Sequence, residues 1–74
     1  MNLLECKNQE NVEVVKINAK DALKQRLLSF GIIKGAKVNF VGYSPAKSTV
    51  EIKVGVINIA LRKEEAQHIE VKRI

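Results

Sequence analysis

Asp21 to Val38 reads DALKQRLLSFGIIKGAKV, and this stretch decides the fold. Its first part has the spacing of an amphipathic helix from about Ala19 to Phe30. Ala19, Leu23, Leu27 and Phe30 recur at helical offsets and lay one apolar stripe along one side, widened by Leu28. Lys20, Lys24, Gln25 and Ser29 fall mostly on the other side. Asn18 is the expected N-cap, its side-chain oxygen accepting from a first-turn N–H, with Asp21 as a capping-box-like carboxylate. Gly31 stands where a helix C-terminus needs positive φ, and Gly35 marks a second tight bend after a short apolar link. The spacing predicts no other strong helix.

The flanking sequence reads as sheet. Val12–Ile17 (VEVVKI) is an expected first strand whose inward set shifts from Val12 and Val14 to Val15 and Ile17. A slip of one residue predicts a bulge or a strong bend. Ala36–Tyr43 is the second strand, with Ala36, Val38 and Phe40 on one side. Thr49–Val54 alternates, with Val50, Ile52 and Val54 inward. Val56–Leu61 follows the turn at Gly55 and points Ile57, Ile59 and Leu61 inward. A polar helical turn is expected near residues 62–67, and His68–Val71 forms the last strand with Ile69 and Val71 inward. Leu3 and Leu4 are expected to plug one end, and Asn8 to Asn11 to form a turn. The pattern is mainly β: a small SH3-like β-barrel of about five strands, one helix inserted after the first, over a single domain of residues 1–74.

Composition narrows the function. Seventy-four residues bury roughly 60–65% of their unfolded surface, too little for a large core plus a deep catalytic cleft. No apolar run approaches the length of a membrane span, and MNLLECKNQE lacks the basic and apolar regions of a secretory signal. One cysteine excludes an internal disulfide and fits a reducing cytosol. The net charge of +5, from 13 Lys and Arg against 8 Asp and Glu, favours an anionic partner, yet the bases are scattered and form no block.

Catalysis needs a nucleophile, a base and an orienting group in one cleft. The only candidates, Cys6 and His68, lie at opposite ends of the chain without a third group. Cys6 is expected to be a small buried hydrophobe and His68 an exposed strand residue. Glu64, Glu65, His68 and Glu70 are close in sequence, but ferrous sites usually want two histidines and a carboxylate, and there is one histidine. Glu64 and Glu65 read instead as first-turn carboxylates favoured by a helix dipole. The expected chain is therefore no enzyme, holds no cofactor and carries no metal site.

Two segments carry a family resemblance. Arg26 to Val38 resembles the R-L-x-x-φ-G-φ-x-x-G-x-x-V segment of the FeoA family, φ being apolar. Ala60 to Val71 resembles that family's A-L-R-x-x-E-A-x-x-I-x-V ending. The likeness runs from about Leu3 to Val71. One departure is visible: many members have a G-D-P-like turn before the third strand, where this chain has Pro45-Ala46-Lys47-Ser48-Thr49, so any role of that turn is not carried over.

The resemblance implies a cytoplasmic accessory protein of bacterial ferrous-iron uptake. Its partner would be the cytoplasmic, GTPase-bearing portion of the membrane transporter FeoB, which would also bring it to the inner face of the membrane. The expected contact residues are Val41, Tyr43, Pro45 and Lys47 around the long loop, Lys24, Arg26 and Lys34 beside the helix, and Arg62. Arg26 and Arg62 match motif positions, and an ion-pair role is an equal reading for each. The alternative function is a nucleic-acid-binding barrel, for which Tyr43 is the one stacking platform left once Phe30 and Phe40 are assigned to the core. A further SH3-like relative, the domain attached to iron-dependent repressors, would have to act here without a helix-turn-helix. Exposed apolar residues on strand edges would permit self-association.

Overall fold

The structure, a computed structural model, describes residues 1–74. A 3₁₀ turn (Leu3–Glu5) precedes β1 (Glu10–Ile17), α1 (Asp21–Ser29), β2 (Lys37–Tyr43), β3 (Thr49–Val54), β4 (Ile57–Arg62), α2 (Lys63–Ala66) and β5 (Ile69–Arg73). The five strands form one antiparallel sheet in the order β4-β3-β2-β1-β5. This is the expected SH3-like arrangement. The sheet bends around its core at two bulges, one between Val14 and Lys16 against β5 and one between Phe40 and Gly42 against β3. The first is the slip legible in VEVVKI.

The two end strands do not hydrogen-bond to each other. The outer edge of β5 is covered instead by the N-terminus. The Met1 ammonium donates to the Val71 carbonyl at 2.9 Å, the Val71 N–H donates to the Met1 carbonyl at 2.7 Å, and Asn2 bridges to Glu70. The outer edge of β4 stays open, and α2 packs beside β4, β3 and the 3₁₀ turn.

Fifteen buried residues form the core and all are apolar, with Phe40, Leu3, Leu27, Ile32, Ile52, Leu61 and Ile69 the largest. α1 contributes Leu27, while Ala19, Leu23 and Phe30 are half-buried along the same stripe. The end of α1 is a Schellman motif. The Ile32 N–H donates to the Leu27 carbonyl at 3.0 Å, and the Gly31 N–H donates to the Leu28 carbonyl at 2.9 Å. Gly31 makes the required left-handed turn at φ +83. Leu27 and Ile32, the two residues this motif brings face to face, are both wholly buried. Gly35 then turns at φ +90 and donates its N–H to the Val14 carbonyl at 2.7 Å, which hooks the link onto β1.

Several expectations are corrected. Asn18 does not cap α1: the N-cap is Lys20, with no side-chain hydrogen bond. The Asn18 N–H instead donates to the His68 carbonyl at 2.7 Å, which extends the β1–β5 pairing and leaves Asn18 too far upstream to cap. α1 accordingly begins at Asp21 and ends at Ser29, shorter than the expected span at both ends. Glu10 and Asn11 belong to β1 rather than a turn. Lys7 N–H and Arg73 hold the Glu10 carboxylate, and Asn39 donates to the Asn11 side chain at 2.9 Å, so both polar groups are satisfied on the strand. Ile57 is 55% exposed because it opens β4 beside the Gly55 turn, beyond the end of the core. His68 is half-buried in the turn before β5 and is no strand residue.

The adjacent residues Ile32 and Ile33 should respond in opposite ways to truncation. Ile32→Ala removes a wholly buried side chain and should cost about 2–5 kcal/mol, read as a lower urea midpoint at unchanged slope. Ile33→Ala, on the exposed side of the same link, should stay within about 0.5 kcal/mol of the parent.

Candidate functional site

The eight expected contact residues do not form one surface. Val41, Tyr43, Pro45 and Lys47 gather at the end of β2 and in the loop to β3. The loop is held closed on itself: Ser44 N–H donates to Thr49 O at 2.9 Å, and Lys47 N–H donates to Ser44 O at 2.8 Å. Lys47 lies at its tip with φ +59. Beside it runs a shallow groove of about 380 Å³ lined by Val41, Tyr43, Pro45, Asn8, Glu51 and Ala60 among others. The Asn8 amide packs against Gly42, where a Cβ would come within 3.2 Å of its oxygen.

Tyr43 is fixed from three directions. Its hydroxyl donates to the Leu4 carbonyl at 2.6 Å, and its ring meets Phe40 edge to face with centroids 5.5 Å apart. The Lys63 ammonium lies 6.0 Å from its ring centroid. The residue as a whole remains 37% exposed. A rigid, half-open aromatic with a satisfied hydroxyl loses little conformational entropy on contact and suits an apolar anchor of a partner.

Arg26 and Arg62 meet elsewhere, on Glu65. The Arg26 guanidinium pairs with one carboxylate oxygen of Glu65 and lies 5.7 Å from the Phe30 ring centroid. The other oxygen of Glu65 accepts the Arg62 backbone N–H at 3.0 Å, closing the first turn of α2. One carboxylate thus pins α2 to α1. The Arg26 side chain therefore joins two helices, whereas Arg62 offers only its backbone N–H and its guanidinium forms no ion pair. Glu65 is committed there, and nowhere do three or more His, Cys, Asp or Glu side chains gather as a metal set, so Glu64, Glu65, His68 and Glu70 do not converge.

Lys24 and Lys34 stand at a third place, around a hollow between α1 and the end of β1 that also includes Lys16. Sequence reasoning missed Lys16. It lies just past the bulge after Val14, beside the hollow. Asn8 was also missed; it meets the groove through its contact with Gly42, far from it in sequence and beside the β2 bulge.

Cys6 is buried, and burial, then the nearby Glu10 carboxylate, push its thiol up to about 11. It remains a neutral thiol at physiological pH. Glu10 moves the other way: the Lys7 backbone N–H, then Arg73, hold its carboxyl below the ordinary range.

The sequence matches the FeoA domain family over residues 1–73. It is 41% identical over 73 residues to a Helicobacter pylori protein with the provisional name Fe(2+) transport protein A, covering 97% of this chain and 96% of that one. It is 27% identical to a Porphyromonas gingivalis protein described as a fusion of Fe(2+) transport protein A with the Fe(2+) transporter FeoB, covering all of this chain and 9% of that one. Among solved structures, the FeoA of Stenotrophomonas maltophilia superposes with a TM-score of 0.83 at 30% identity, covering 97% of this chain and 89% of that one; it is described as a prokaryotic SH3 domain protein.

Two measurements check this arrangement. Glu65→Ala should lower stability by about 1–2 kcal/mol, because α2 loses its N-terminal acceptor together with the ion pair. Arg26→Ala should cost under about 1 kcal/mol, since Arg26 is half exposed. Thermal unfolding of both variants reads the difference. Cys6 should resist an aromatic disulfide reagent at pH 8 in the folded protein and react fully once unfolded. Because its folded pKa lies above the ordinary thiol value of 9.0, its contribution to stability is intact below pH 9 and is lost as pH rises toward about 11.

Proposed function

This chain belongs to the FeoA family, and from that premise we propose that it is a non-catalytic accessory of ferrous-iron uptake that docks on the cytoplasmic, GTPase-bearing part of FeoB. The observation that carries the reading is the fused Porphyromonas gingivalis protein, in which a relative of the whole chain shares one polypeptide with FeoB. Covalent linkage raises the effective concentration of two modules and serves partners that work together.

The contact surface is the groove beside the β2–β3 loop. Tyr43 is its anchor, Val41 and Pro45 extend its apolar lining, and Lys47 supplies charge from the tip of the adjoining loop. Preorganisation supports this choice, because the Leu4 hydrogen bond and the Phe40 contact already hold the ring that a partner would cover. A groove of this size supports a small interface of the transient class, which suits reversible docking. Docking of that kind biases the assembly or the nucleotide cycle of the transporter and leaves the chemistry to its GTPase domain.

The test is retention of the purified cytoplasmic portion of FeoB by this protein at two salt concentrations. The parent should retain it, Tyr43→Ala should weaken binding by about tenfold or more, and Tyr43→Phe, which keeps the ring, should hold most of it. Circular dichroism confirms that each variant is folded. Absence of retention at both salts, or an unaltered Tyr43→Ala, overturns the docking reading. Binding of single-stranded RNA that falls steeply with salt would transfer the groove to the nucleic-acid class. In cells, ferrous uptake under iron limitation should fall when the gene is deleted.

A further inference from the structure

A second face, apart from the β2–β3 groove, has its own chemistry. Val15, Ile17, Leu28 and Ile33 line a hollow of about 420 Å³ whose rim is Lys16, Lys24 and Lys34. Leu28 and Ile33 are 37% and 47% exposed, among the largest apolar exposures of the molecule outside the β3–β4 turn and the C-terminus. The three lysines come from three segments, β1, α1 and the link to β2. None of them forms an ion pair; the ion pairs of the chain are Arg26–Glu65, Lys72–Glu13 and Arg73–Glu10. No carboxylate lines the hollow. Four acids lie on β1, β5 and α1: Glu10 and Glu13 are paired with Arg73 and Lys72, Glu70 stands opposite Lys16 across β1–β5, and Asp21 lies one turn before Lys24 on α1.

We propose that this face binds the anionic headgroup layer of a phospholipid membrane, with Leu28 and Ile33 entering the interface and Lys16, Lys24 and Lys34 reaching the headgroups. Charge complementarity selects an anionic occupant. The kind of base selects a lipid surface over an acidic peptide. Recognition of discrete carboxylates favours arginine, whose planar fork binds two oxygens at once, whereas lysine is a mobile point charge on a flexible apolar stem. All three rim cations are lysines, the lining is aliphatic, and neither an aromatic anchor nor an arginine of the kind that dominates protein interfaces is present. A laterally mobile layer of negative headgroups over hydrocarbon matches that surface without requiring fixed geometry. Each lysine brought near such a layer strengthens binding by roughly fivefold, so the three together give reversible association. The proposal stands independently of FeoB docking, and the two faces use different residues.

The experiment is co-sedimentation of the intact protein with phosphatidylcholine vesicles, with and without phosphatidylserine, at low and physiological salt. The parent should sediment with the phosphatidylserine vesicles only, less so at higher salt. Lys24→Glu/Lys34→Glu should lower partitioning by roughly 25-fold or more. Lys7→Glu/Lys63→Glu, which has the same net charge but alters bases away from this face, should lower it by less than about threefold. Ile33→Ser should weaken binding while its salt dependence persists. Equal binding to both vesicle types, equal losses in the two charge-reversed variants, or binding of the hollow to a soluble polyglutamate peptide but not to vesicles overturns the proposal. Tyr43→Ala separates the two surfaces: it should weaken FeoB retention and leave vesicle binding unchanged, since Tyr43 does not line this hollow.

Discussion

The hydrogen bond from the Ile32 N–H to the Leu27 carbonyl is the constraint on which the rest of the molecule depends. A helix of nine residues is too short to be stable in water by propensity alone, so α1 survives only by docking. The left-handed turn at Gly31 reverses the chain so that Ile32 enters the core beside Leu27, and the helix is tied to the sheet from both sides of its C-terminus. Gly35 repeats the operation one step later by fastening the link to Val14, at the residue where β1 bulges. A bend in the sheet and a bend in the chain meet at one backbone contact. The position of β2, and with it the β2–β3 groove, follows from there.

Electrostatics divide the surface into occupied and available bases. Arg26, Lys72 and Arg73 have carboxylate partners, and each such pair joins elements distant in sequence. Glu65 does most, because one carboxylate serves both the N-terminus of α2 and the side of α1. Removing those pairs from the reckoning leaves an excess of unpaired lysine, part of it beside aliphatic surface. A net charge of +5 spread evenly would say little about a partner. Its position beside exposed Leu28 and Ile33 says more.

Much of the fold was legible in the sequence because alternation records which face of a strand is wet. The alternation of Thr49–Val54 matches the observed strand at both ends, and the slip in VEVVKI marks the observed bulge. The helix stop at Gly31 was equally visible, since few residues other than glycine tolerate that φ. What escaped was decided by distant partners. Asn18 has the chemistry of a cap, but His68, fifty residues on, claims its backbone first. Ile57 has the periodicity of a core residue, but the core ends before it. Ile32 and Ile33 are chemically alike, and only the Schellman geometry decides which is inside. The site was less legible still. Loop position, charge and motif group the expected contact residues together, and the structure separates them into three places. Arginine charge alone does not reveal that Glu65 already accepts Arg26.

The two edges of the sheet are unequal. Met1 and Asn2 lie along β5, whereas β4 is straight, free of bulges and open along its outer side. A sheet with two open edges can add strands without end, which is the geometry of fibres. With a single open edge, two copies that pair through it leave no edge free, and growth stops. The short N-terminal cover would therefore act as a terminator for pairing between copies of this chain, stopping it at two.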